Sequence, residues 1–161
     1  MRSAILASAV TGSIVFAGSW ALAQHAGHGS HHGSHAPVTD SRELVEFPPE
    51  LVSHTLANMR DHLVALQEIN DALSRGATDK AAAISEERLG MTSLRLHGAH
   101  EVAKYMPQGM QDAGSEMHRA ASRFAIEAKN SGVTGDLKPA LAALSSVISQ
   151  CVGCHAGYRL R

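Results

Sequence analysis

Apolar residues recur at alternating steps of four and three through Val52, Leu56, Met59, Leu63, Leu66 and Leu73, with Asn70 in the one gap. That is the period of a helix with one buried stripe. Pro48-Pro49 suits its first turn and Gly76 its end, so the pattern predicts a first helix between them. Thr78-Asp79, a capping residue and a first-turn acid, open a second, whose inward line Ile84, Met91, Leu94, Gly98, Val102 and Tyr105 runs on to Pro107. The third carries Met110, Gly114, Met117, Ala121, Phe124 and Ala128 on one stripe and ends near Asn130-Ser131-Gly132. Asp136 and Pro139 open the fourth, with Leu137, Leu141, Leu144, Ile148, Cys151, His155 and Tyr158 facing inward.

Four helices of roughly 20 residues with short connections predict an all-α fold, an antiparallel up-down-up-down four-helix bundle. The end of the fourth helix, the start of the first, the end of the second and the start of the third then meet at one pole. There Gly98 and Gly114 face inward, each costing its helix about 1 kcal/mol relative to alanine. Such glycines serve close helix packing or keep room for something wide and flat.

The segment before the helices divides in two. Met1-Arg2, an apolar run over residues 4–20 and Ala21-Leu22-Ala23 have the form of a secretory signal, residues 1–23. Residues 24–46 are rich in Gly, Ser, His and Ala, carry Pro37 and show no helical period, which predicts a flexible tail before the domain at 47–161. No later stretch reads as long and apolar enough to span a bilayer, so the expectation is export to the bacterial periplasm, without membrane insertion once the leader is removed. A net charge of −1 with 18% charged residues gives no reason to expect a nucleic-acid partner. Cleavage also removes Trp20 and Phe16, leaving Phe47, Tyr105, Phe124 and Tyr158 as the aromatic residues, a thin core that a bulky apolar group would fill.

Both cysteines of the chain lie in Cys151-Val152-Gly153-Cys154-His155. This is the haem-attachment pattern, in which two thiols bond the porphyrin vinyl groups and the adjacent imidazole takes iron from the same side. On a helix both sulfurs and the imidazole fall nearly on one face. A redox pair of thioredoxin type belongs at a helix N-terminus, where the dipole lowers the thiol pKa, and this motif sits in the last turns of a helix. A structural zinc site would need two further strong ligands at ribbon or finger spacing, and no other cysteine exists; a disulfide across so short a loop would staple nothing. One covalent haem c is the expectation.

The run Cys151 to Arg159, read as CxxCHxxYR at the end of the last helix of a four-helix chain, resembles the cytochrome c-prime and cytochrome c-556 family. The resemblance covers roughly residues 47–161. It implies a haem wedged at the open pole, His155 as proximal ligand and Arg159 near a propionate, where a guanidinium pairs well with a carboxylate. In low-spin relatives a methionine about three turns into the first helix coordinates iron from the other side; Met59 occupies that depth here, with His62 one turn further on as its rival. The basic residue often found one turn earlier is Thr55. Met91, Met106, Met110 and Met117 read as packing residues or loop anchors. His97, His100 and His118 fall near the same pole, as pocket-edge residues or as ordinary surface histidines. Family precedent, with the apolar edges of the first two helices, points to a homodimer.

The functional expectation is electron transfer by Fe(III)/Fe(II) cycling with a periplasmic redox partner protein, and no enzyme activity. Two alternatives stay open. An open distal site would bind NO or CO, and the tail histidines His25, His28, His31, His32 and His35 are candidate ligands for Cu, Ni or Zn.

Overall fold

The computed structural model describes Thr39–Arg161. The leader and the five tail histidines lie outside the described residues. The fold is mainly helical, as the pattern predicts. In chain order its elements are strand β1 (Glu43–Val45), helix α1 (Pro49–Ser74), helix α2 (Thr78–Arg88), a 3-10 turn (Met91–Arg95), helix α3 (Ala99–Ala103), helix α4 (Gln108–Thr134), helix α5 (Lys138–Gly157) and strand β2 (Tyr158–Leu160).

Helix α1 starts on Pro49, whose fixed φ suits a first turn and whose missing N–H costs nothing there. Its buried face is not the leucine stripe. Thr55, His62, Ala65, Ile69, Ala72 and Leu73 are buried, whereas Leu56 and Leu63 are 42% and 67% exposed. The small side chains explain the rotation: Ala65 and Ala72 share one cluster with Ala81 and Ala82 of α2, so the two helices approach closely and the bulkier leucines are turned outward. Arg88, at the end of α2, reaches back to Asp61 and Glu68 and latches the pair.

The second predicted helix does not run unbroken to Pro107. It stops after Arg88, where the Gly90 N–H folds back to the Ser85 carbonyl at 2.7 Å and the Met91 N–H donates to the Ser122 hydroxyl of α4. The chain then tightens into the 3-10 turn and breaks again at Gly98, which takes φ +61°. A side chain there would be strained, and its Cβ would also crowd the His54 ring. Met91 and Tyr105 consequently end up exposed rather than inward.

Helix α4 keeps the expected stripe, with Met110, Met117, Ala121, Phe124 and Ala128 buried, and continues to Thr134. The buried Ser85 hydroxyl donates to the Ala121 carbonyl at 3.0 Å and ties α2 to it. Helix α5 packs on α4 through Ala140, Leu144 and Val147, while Leu141 and Ile148, expected inward, are 49% and 39% exposed. At a mean hydropathy of 1.3, α5 is long and apolar enough by length and composition to span a bilayer, contrary to the sequence expectation. Lys138 is its single charged residue.

Two apolar clusters result. The larger joins α1, α2, α4 and α5 around Phe124, Ile69 and nine buried alanines, and is as poor in aromatic bulk as the composition implies. The smaller gathers Val45, Phe47, Val102 and Met110, with Cys154 and Tyr158 against it. It rests on a parallel pairing of β1 with β2, in which Glu43, Leu44 and Val45 face Tyr158, Arg159 and Leu160. Part of the stretch predicted as flexible tail is therefore folded, and the expected boundary after residue 46 falls inside the folded body.

Candidate functional site

A cavity of about 430 Å³ opens beside the smaller cluster. Thr55, Met59 and His62 of α1 line it with Val102 of α3, Met110, Gly114, Met117 and His118 of α4, and Cys154, His155, Tyr158 and Arg159 at the α5–β2 junction. No heavy atom stands within 4 Å of where a Gly114 Cβ would lie, so this glycine keeps the wall open. The turn at Gly98 is its own reason for a glycine. At Gly109 the Tyr158 hydroxyl lies where a Cβ would project, which lets β2 close over the start of α4.

Four of the five residues singled out for a cofactor, Cys154, His155, Met59 and Arg159, share this cavity. Cys151 is one turn earlier, half-buried against the larger cluster, with its sulfur 3.6 Å from the Val147 carbonyl. Both thiols are free, and burial pushes both above their ordinary pKa. That is the reverse of the thiolate-stabilising setting a redox CxxC needs. His155 is exposed where the cavity opens, not inward as its stripe position implied.

Arg42 lies in the stretch read as tail, and nothing in that low-complexity run marks it. Pairing of β1 with β2 brings its guanidinium to the His155 carbonyl, with N–H to O at 3.4 Å, and it also grips Asp40 through two hydrogen bonds. That grip holds the Asp40 carboxyl well below its usual range, at about 2. Arg159 Nε is 3.5 Å from the same carboxylate. Two guanidinium groups thus flank the cavity from adjacent strand ends.

The inner wall is more polar than a leucine stripe would make it. The Thr55 hydroxyl is buried without a hydrogen-bond partner, and so are His62 Nε2 and His97 Nδ1. The rings of His62, His97 and His118 cluster, and burial pushes all three below the ordinary imidazole pKa, His62 to about 4. For His62 the signal in the sequence was the seven-residue step Thr55, His62, Ile69 on the true inward face of α1. His100 is exposed. Among the described residues, no group of three or more His, Cys, Asp or Glu side chains is placed to hold a metal ion.

No protein-family model, curated protein or solved structure matches the chain. A functional reading therefore rests on the motif and on the cavity it faces.

Proposed function

We propose that the chain is an exported c-type cytochrome that carries one covalent haem c and transfers electrons in the periplasm. The observation that carries this reading is the meeting of Cys154, His155, Met59 and Arg159, from opposite ends of the folded chain, on one apolar cavity. In this reading α1, α2, α4 and α5 are the staves of an up-down-up-down bundle, and the cavity sits at its open pole.

The residues present fit the group. The cavity is within the range of about 300–1,000 Å³ usual for cofactor sites. Imidazole from His155 and thioether from Met59 would be the two donors of a low-spin cytochrome, and Cys154 on the cavity with Cys151 one turn earlier would supply the thioether anchors. When bound, the haem supplies one-electron Fe(III)/Fe(II) chemistry. The chain does the rest. Val102, Met106 and Met110 exclude water and disfavour the more highly charged oxidised state, which raises the reduction potential, as does methionine opposite histidine. Arg42 and Arg159 offer charged hydrogen bonds to two carboxylates. The β1–β2 pairing and the Arg42 contact fix the last turn of α5 and so orient His155. No substrate bond is made or broken, so the protein is not an enzyme. The outward Leu56, Leu63 and Val64 of α1 supply the apolar edge that a homodimer needs.

The visible spectrum of the purified protein tests the reading. Six-coordinate low-spin bands with a methionine-to-iron charge-transfer band are expected, and Met59→Ala should give a high-spin haem that takes up CO. A five-coordinate ferrous spectrum in the unaltered protein would instead support NO or CO binding as the function. A silent Met59→Ala with an altered His62→Ala spectrum would move the distal ligand to His62.

A further inference from the structure

Helix α5 is sparsely covered for its composition. It packs along α4 through Ala140, Leu144 and Val147, yet only 17% of its most apolar stretch is buried. Between Lys138 and His155 it carries no Asp, Glu, Lys or Arg. The free face of an outer helix is ordinarily charged or polar; on α5 Ala142, Ser145, Ser149 and Val152 are exposed instead. Such a face suits contact with another surface.

Beside it, on α4, the surface is shaped. A second cavity of about 270 Å³ lies between the two helices, with the small side chains of Ala120, Ala143 and Ser146 in its walls and Arg123, Ile126 and Glu127 around it. Ile126 is 60% exposed, and Val133, seven residues on along the same side of α4, is 90% exposed. Arg123 and Glu127 are opposite charges one turn apart. Arg123 pairs with Glu116 of its own helix. Among the described residues, Glu127 makes no ion pair.

We propose that the α4–α5 face binds a second copy of this chain. A two-fold axis near Ile126 sets the α4 helices of the two copies antiparallel, so that Arg123 of each stands opposite Glu127 of the other and each Ile126 enters the other's groove. An isologous contact needs this self-complementarity. Two helices about 9 Å apart and roughly 30 Å long present about 600 Å² per copy, or about 1,200 Å² in the pair, the lower end of a stable interface. A lipid surface fits less well. Glu116, Arg119, Arg123 and Glu127 lie on one side of α4 and would lose water there without gaining partners. The face shares no residue with the outward α1 edge or with the haem cavity, so the proposal depends on neither.

The test is sedimentation equilibrium of the purified exported protein carrying Leu63→Glu, which removes association through the α1 edge. The expected result is a dimer with a Kd of about 10 μM or tighter. Adding Ile126→Glu should weaken it at least about tenfold. Arg123→Glu and Glu127→Arg should each do the same, because each sets like charges against one another across the axis. An equimolar mixture of those two variants should restore the dimer, since both contacts are then of opposite sign; this rescue separates loss of contact from loss of fold. A monomer at about 100 μM in the Leu63→Glu protein, a dimer that Ile126→Glu leaves unchanged, or charge variants that mixing does not rescue would overturn the proposal. So would a monomer that pellets with phosphatidylglycerol vesicles, because a lipid surface would then be the occupant.

Discussion

The two ends of the molecule are built on opposite plans. At the closed end α1, α2, α4 and α5 come together on alanine, with Phe124 as the largest fully buried side chain; the buried Ser85 hydroxyl donates to the Ala121 carbonyl, and the buried Ser131 hydroxyl of α4 is without a partner. At the open end a small cluster of Val45, Phe47, Val102 and Met110 stands beside a cavity, and Thr55, His62 and His97 keep buried polar atoms unpaired. The closed end stabilises the fold by close contact between helices. The open end gives up part of that stability, because its wall leaves buried polar atoms that the polypeptide does not pair.

The largest expected effect falls at the open end. Cys154→Ala should abolish covalent haem attachment and leave the domain poorly helical by far-UV circular dichroism, because the small cluster lacks bulk of its own; native helicity without haem would contradict this. At the closed end, Phe124→Ala should cost about 3–5 kcal/mol in urea unfolding, since neighbouring alanines cannot collapse into the space. A loss under about 1 kcal/mol would show that this end is not close-packed.

A smaller effect concerns the histidine wall. His62 is neutral in the folded protein down to about pH 4, against 6.5 for an ordinary imidazole, because of its burial and the neighbouring His97 and His118, with Asp61 and Arg88 acting in opposite senses nearby. The unfolded chain takes up this proton as pH falls through 6.5 and the folded chain does not. Stability should therefore be full above that pH and decline between it and about 4, by at most roughly 3 kcal/mol from His62. His62→Gln should flatten the decline measured by urea titration, and an unchanged slope would contradict the assignment. Least of all, Leu63→Ala should cost under about 0.5 kcal/mol, whereas a loss several times larger would restore the leucine stripe as the buried face.

The two ends of α1, the start of α4 and the placing of Cys151, Cys154 and His155 on one helix were legible because they rest on local chemistry. Pro49, Gly76 and Pro107 act on their own backbone, and Cys151, Cys154 and His155 need only one helix to hold their spacing. The face of α1 was not legible. Val52–Leu56–Met59–Leu63 and Thr55–His62–Ala65–Ile69 both follow helical steps, and only the close approach of α2 decides for the smaller set. The break in the second helix was hidden for a related reason: Gly98 falls on the expected inward stripe, and the turns at Gly90 and Gly98 are met by Ser122 and His54 from other elements. Arg42 could not have been found, since its position depends on the pairing of β1 with the far end of the chain.

The central claim is that Cys151 and Cys154 carry a porphyrin. Intact-mass measurement of the protein exported from a host with working cytochrome maturation tests it most directly. The account predicts the mass of the processed chain plus one haem, retained under denaturing conditions. The mass of polypeptide alone would contradict it.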